Sequence, residues 1–419
     1  MKFITLSIIG VLLAFNTSAT QLLIPMDKTQ TDHLKAYGVA YFALNHGVAI
    51  EWFLNYRGGS FLMPHLETLE KELVIRGIRY EVLADGQVNQ IRREIASPEV
   101  NQEIVQLEVA PKIAVYTPDD KRPWDDAVTL VMEYAEIPYD KIYDSAVIAG
   151  DLMNYDWLHL HHEDFTGQYG KFYAAYRNAQ WYKDQVAIME ASAARLGFEK
   201  VSDMKLAVAK AIKNYVTLGG FLFTMCSGTD SFDIALAAHK TDIVEYMYDG
   251  DGMDPNYRSK LDFDNGFAFE NYTIVENPMK YEFSSIDGTD LHRKVTERDD
   301  FFTLFEFSAK WDIVPTILTQ NHETIIKNFY GQTTDFVKDY IKPSVTIMGE
   351  SKSLGTVKYI HGEQGNGTWT FYGGHDPEDY QHRVGDSPTD LNLHPNSPGY
   401  RLILNNVLFP AAKKKKRKT

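Results

Sequence analysis

An apolar run, Phe221 to Met225, leads through Cys226 into the polar stretch Ser227-Gly228-Thr229-Asp230. After it Phe232, Ile234, Ala235, Leu236 and Ala238 recur at helical spacing. The run predicts a buried strand, the polar stretch a tight turn, and the periodic residues a helix. Cys226, the chain's only cysteine, stands at the strand-to-turn junction. A residue on such a turn is exposed above the sheet edge, beside backbone N–H groups and the positive end of the following helix.

The same alternation of strand and helix recurs along the chain. Gln21 to Asp27, Val48 to Leu54 and Ile78 to Leu83 read as strands, and Thr31 to Asn45 and Leu66 to Ile75 as helices. Asn55 to Ser60 reads as a loop. This rhythm predicts a parallel sheet covered by helices. It continues with strands at Ile113 to Tyr116, Asp140 to Tyr143 and Tyr155 to His161. Helices follow from Pro123 to Ala135, from Phe172 to Arg195 and from Asp203 to Tyr215. From Lys240 to about Lys342 the period is lost, and the region reads as an insertion or lid. Ser344 to Met348 is again strand-like. Thr356 to His361 and Thr368 to Tyr372 flank a glycine-rich turn and predict a hairpin. Tyr400 to Leu408 predicts a closing amphipathic helix.

The 44% hydrophobic content is that of a globular protein. Lys2, the apolar run Phe3 to Phe15 and Asn16-Thr17-Ser18-Ala19 have the order of a secretory signal peptide cleaved after Ala19. A periplasmic or secreted protein without a further transmembrane segment is expected. The formal charge is −15, and without the six cations of Lys413 to Lys418 it is −21. A body this acidic excludes nucleic acid as an expected partner and leaves a small molecule. The expected organisation is a signal peptide (1–19), an N-terminal α/β segment (20–110), a core in two parts (111–240 and 343–412), the insertion (241–342) and a basic tail (413–419).

In open α/β sheets ligands bind beyond the carboxyl ends of the strands. The residues after the predicted strands are therefore candidates: Asp119, His161-His162-Glu163-Asp164, Cys226-Ser227-Gly228 with Asp230, and His375-Asp376-Pro377-Glu378. A cysteine nucleophile needs a base and an acid that orients it. Cys226, His375 and Glu378 could fill those catalytic roles, with Asp119, His162, Glu163, Asp164, Ser227, Gly228, Asp230 and Asp376 binding the ligand. His161, His162 and Glu163 are also candidate ligands for a divalent metal. No other cofactor is expected. Strand alternation places His159 and His161 on one face and His162 on the other.

With these residues the chain resembles the class I glutamine amidotransferase-like superfamily over roughly Lys112 to His239 and Ser344 to Ala411. The elbow at Cys226 and the run Gly373-Gly374-His375-Asp376-Pro377-Glu378 look most like the trehalose-utilisation-type (ThuA-like) domains. The resemblance implies a flavodoxin-like parallel sheet flanked by helices and a Cys-His-acid hydrolase or transferase acting on a small, carbohydrate-derived substrate. Thr224 replaces the first glycine of the amidotransferase elbow, and the acid follows the histidine by three positions rather than two. A second resemblance is carried by Ser227-Gly228-Thr229-Asp230-Ser231, which is similar to the pyrophosphate loop of asparagine synthetase B-like ligases and implies ATP-dependent amide formation. A non-catalytic sugar- or metal-binding protein is the third reading.

Overall fold

The structure is a computed structural model that describes residues 20–118, 126–312, 315–318 and 323–412. The predicted signal peptide, the basic tail and Asp119 lie outside the described residues. Strands β1 (Thr20–Ile24), β2 (Ile50–Leu54), β3 (Ser60–Pro64), β4 (Glu81–Ala84) and β5 (Glu103–Leu107) form one sheet in the order β4-β1-β3-β2-β5. Every pairing in it is antiparallel, which corrects the parallel sheet expected from the N-terminal rhythm. The physical reason is the segment read as a loop. Asn55 and Arg57 adopt φ of 61° and 48°, and the tight reversal sends β3 back alongside β2. β3 thereby takes the place beside β1 that a parallel crossover would have given to β2. Arg57 is held in this turn by Asp27 and Glu81, each 2.8 Å away.

The larger sheet contains β6 (Ile113–Tyr116), β7 (Asp140–Ile142), β8 (Trp157–Leu160), β9 (Phe221–Met225), β10 (Phe301–Leu304), β11 (Ile325–Lys327), β12 (Phe336–Val337), β13 (Thr346–Ser351), β14 (Thr356–Gln364) and β15 (Gly367–Tyr372). Its order is β11-β10-β13-β14-β15-β9-β8-β6-β7, with β12 against β14. From β15 to β7 the neighbours run parallel; from β15 to β11 they run antiparallel. The fold is therefore mixed α/β with a mixed sheet. The expected hairpin is β14–β15. The region read as an irregular insertion supplies β10, β11 and β12 to the same sheet.

Alternation along each parallel strand buries two faces. Ile113, Val115, Trp157, Phe221, Phe223 and Met225 face one core, while Ala114, Leu158, Leu160 and Leu222 face the other. The helices His33–Asn45, Ala127–Ala135 and Pro398–Leu408 fill the first core, which also takes the inner face of the N-terminal sheet (Leu22, Ile24, Trp52, Phe61). Helices Val201–Leu218 and Ser227–Ala237 cover the second face.

The helix expected at Tyr400 to Leu408 runs from Pro398 to Leu408, packs against both sheets and is buried on all sides. Its polar residues stay buried because each finds a partner. Asn405 accepts from Tyr37 at 2.5 Å and donates to the Ile317 carbonyl at 2.9 Å. Asn406 donates to Tyr359 at 2.5 Å, and Arg401 donates to the Gly58 carbonyl at 2.8 Å. No helix among the described residues is long and apolar enough to cross a membrane.

Candidate functional site

Parallel pairing of β8, β9 and β15 brings three carboxyl ends together: His161 and His162 after β8, Cys226 after β9, and His375 two glycines after β15. Helix Ser227–Ala237 starts directly after Cys226, so the expected polar turn is the first turn of a helix and the whole reversal falls on one residue. Cys226 pays for it with φ 50° and ψ −142°, backbone values that non-glycine residues rarely adopt. Gly228 allows the close approach of helix and strand end. Its N–H donates to the His161 carbonyl at 2.6 Å, and a Cβ there would stand 2.3 Å from that oxygen.

The thiol is 2% exposed. Its sulfur accepts the backbone N–H of Gln332 at 3.2 Å. Burial pushes the thiol pKa up, against the N–H groups of Gln332, Thr333 and Ser227, which favour the thiolate. Among the described residues no hydrogen bond joins Cys226 to His375. Glu378 does not turn to His375 either: its carboxylate pairs with His394 at 3.0 Å. The structure thus brings Cys226 and His375 to one edge without linking Cys226, His375 and Glu378 in a relay.

His375 lies instead in a group of imidazoles. Its ring centre is 4.5 Å from that of His161, 6.2 Å from that of His162, and 4.5 Å from that of His382, onto which it stacks in parallel. Burial and the three neighbouring imidazoles hold its pKa well below the ordinary histidine value. The alternation expected for the β8 histidines ends with the strand at Leu160. Beyond it the chain turns, and His162 joins His161 at 5.2 Å rather than pointing to the opposite face.

Asp126, capping helix Ala127–Ala135, closes the cluster from below. One oxygen lies 3.1 Å from His159 Nε2 and the other 3.1 Å from His161 Nδ1. Burial opposes ionisation of this carboxyl, but the two histidines outweigh it and hold its pKa well below the usual range. His159 is fully committed, because its Nδ1 faces the Phe223 carbonyl at 3.1 Å.

Glu163, Asp164, Asp376 and Asp230 have structural partners. Glu163 turns toward Tyr143, 3.3 Å away, and the Lys205 charge, so it takes no part in the imidazole group; His375 stands where Glu163 was expected. Burial raises its pKa to about 7. Asp164 accepts from Thr166 and from the Gly170 N–H, ordering its own loop. Asp376 accepts from the Glu378 N–H and Thr389.

Asp230 accepts from Thr333 at 2.8 Å, and burial raises its pKa to about 7. Ser227, Gly228, Thr229, Asp230 and Ser231 are all buried in the helix, with Thr229 bonded to the Cys226 carbonyl and Ser231 to that of Glu163. This segment presents no open cradle for phosphate. The acidic loop around Asp249 and Asp251 is filled by Lys200, whose ammonium lies 2.7 Å from Asp242, 3.0 Å from Asp249 and 2.5 Å from Asp251.

Sequence reasoning passed over Asp126, Gln332, Thr333 and His382. Asp126 carried one signal, an acid just ahead of an apolar helical run, as in an N-cap. Gln332 and Thr333 carried none, since they act through the backbone and a hydroxyl from within the insertion. A pocket of about 190 Å³ opens beside them, lined by Tyr281, Arg293, Tyr330, Gln332, His382 and Arg383 among others. It shares Gln332 with the thiol and His382 with the imidazole stack. A larger cavity of about 420 Å³, bounded by Phe165, Lys200, His239 and Val244, includes none of the clustered histidines.

The chain matches no protein-family model and no curated protein. Among solved structures it is similar to the cytoplasmic protein STM3548 from Salmonella typhimurium, at 10% identity and a TM-score of 0.34, covering 72% of this chain and 100% of that one. A second cytoplasmic protein of Salmonella typhimurium LT2, STM1381, gives 10% identity and 0.36 over 72% and 100%. A β-galactosidase from Bacillus circulans sp. alkalophilus gives 11% identity and 0.27 over 64% of this chain and 29% of that one. Superpositions this loose carry no argument about function.

Proposed function

We propose that the chain is an exported protein whose larger sheet is a flavodoxin-like, class I amidotransferase-like domain of the ThuA-like kind, and that the crevice at its parallel strand ends binds a small, carbohydrate-derived ligand. The observation that carries this reading is the convergence of the β8, β9 and β15 ends beside the pocket at Gln332 and His382. Tyr281 and Tyr330 supply aromatic surface, and Gln381 and Arg383 supply polar groups, the mixture a sugar site uses. Cys226 is then a structural thiol, sealed by Gln332.

A second reading keeps Cys226 as the nucleophile of a hydrolase or transferase. It is favoured by the strained backbone at Cys226 and its place at a helix start, an arrangement that costs stability and is concentrated at functional sites. Alkylation separates the two. A buried structural thiol reacts with iodoacetamide at neutral pH only as the protein opens. Modification of folded protein at the rate of a free thiol would overturn the binding reading and restore the nucleophile.

A further inference from the structure

We propose that His161, His162 and His375 bind one divalent transition-metal ion of the zinc class, with one coordination position left open, next to the His382 ring that borders the pocket at Gln332. The inference rests on the reading of this crevice as a binding site and names a ligand for it.

Each of the three imidazoles offers a nitrogen, and these ligand atoms all lie within 4.8 Å of one another. Tetrahedral coordination at zinc–nitrogen bonds of about 2.0–2.1 Å sets ligand nitrogens about 3.3 Å apart. The ligand atoms are thus at most about 1.5 Å farther apart than an ion would hold them. The histidines come from the ends of β8 and β15, whose positions the sheet fixes. Gly374, at φ 86°, lets the chain turn over Lys358 and Phe329, where a Cβ would meet both side chains at 2.5 Å.

Ordinary core histidines satisfy their nitrogens. His159 has an oxygen acceptor at each nitrogen, while His361 bonds Thr370 through Nδ1 and packs its ring against Phe409 rather than another imidazole. His161 and His375 instead lie with their ring centres 4.5 Å apart. They are 2% and 8% exposed, yet Nε2 of His161 and Nδ1 of His375 make no hydrogen bond among the described residues. His161 Nδ1 lies 3.1 Å from an Asp126 oxygen. That leaves Nε2 for the ion. A carboxylate behind a ligating imidazole is the usual second contact of zinc histidines, because it orients the ring and raises its basicity.

Two buried imidazoles and a half-buried one, packed with ring centres 4.5 to 6.2 Å apart, crowd lone pairs together as they stand and are favourable around a cation. All-nitrogen ligation suits zinc, copper, iron or nickel and disfavours calcium and magnesium, which take oxygen. Cys226 is not among the ligand atoms. Three protein nitrogens leave the fourth tetrahedral position for water or a ligand hydroxyl.

Titrating full-length, EDTA-treated protein with zinc chloride by calorimetry, and with cobalt chloride by visible absorption, tests the site. One ion per chain is expected, with tetrahedral cobalt bands and a zinc-induced rise in Tm. H162A and H375A should each lower affinity at least about tenfold, and D126N between about 10- and 100-fold. The exposed-site variant H46A should bind as the parent does. Circular dichroism confirms that each variant is folded; if H375A is not, H162A and H375Q carry the test. No zinc uptake by the parent, or uptake unchanged in both histidine variants, overturns the inference. If Cys226 still resists alkylation in that case, the binding reading stands without the ion. A freely alkylating Cys226 alongside one-to-one zinc uptake would sink the binding reading and uphold the ion site.

Discussion

Gln332 donates its backbone N–H to the sulfur of Cys226 at 3.2 Å, across 106 residues of sequence. Beside it Thr333 bonds Asp230 in the first turn of the helix that Cys226 begins. Gly331 passes so close to Gly374 and His375 that a Cβ would stand 2.8 Å from the Gly374 backbone. A strap from the middle of the chain therefore packs against both the elbow and the histidine segment.

Cys226 should be protected from alkylation in the folded protein and react at once in urea. Each 1.4 kcal/mol or so of opening free energy slows modification about tenfold. Mass spectrometry after timed iodoacetamide exposure reads the ratio. Equal rates in buffer and urea would show that the Gln332 strap does not seal the thiol.

Gly228→Ala should destabilise the protein by about 1–3 kcal/mol, the usual cost of forcing atoms into a packed contact. The added methyl meets the His161 carbonyl oxygen and must push β8 and the elbow apart. Urea denaturation gives the size. An unchanged midpoint would mean that the two strand ends are not held as closely as described.

Lys205→Met should cost about 3–5 kcal/mol, because it leaves the Asp144 carboxylate buried without its partner. The ammonium is fully buried, 3.0 Å from Asp144, 2.9 Å from Tyr116 and 3.1 Å from Tyr143. Adding Asp144→Asn to the same chain should recover much of the loss, since the stranded charge is then gone. A double variant no more stable than Lys205→Met would show that the loss comes from packing.

Glu163→Gln should change how stability follows pH. Burial raises the Glu163 pKa from 4.5 to about 7 in the folded protein. Between those values the folded state holds more protons than the unfolded state, so the parent loses stability as pH rises from about 4.5 to about 7. Glutamine has no such term. The stability of Glu163→Gln relative to the parent should rise by about 3 kcal/mol across that window and level off above it. Urea midpoints at pH 5 and pH 8 suffice, and a pH-independent difference would count against the raised value.

Much of the larger sheet was legible. Phe221–Met225 and Ile113–Tyr116 form strands residue for residue as their apolar runs predict, and the hairpin of β14 and β15 follows its glycine-rich turn. Such signals are local, because an apolar run or a turn constrains a few neighbouring residues whatever lies elsewhere. β3, β5 and β10 to β12 escaped, being short and bounded by segments with no clear period. The candidate site was legible only as residues at strand ends. Whether Glu378 turns to His375 or to His394, and whether Glu163 turns inward or to Tyr143, depends on side-chain directions that spacing does not encode.

From the sequence alone came the β9 strand, the break in the chain at Cys226 and the presence of histidines after two strands. The tertiary structure decided which of those meet. Parallel pairing of β9 with both β8 and β15 sets His161 and His162 against His375 from more than 200 positions away, while the strap at Gln332 takes the thiol. A long-range partner is chosen by the packing of a whole sheet and its covering helices, and no short window of residues contains that information.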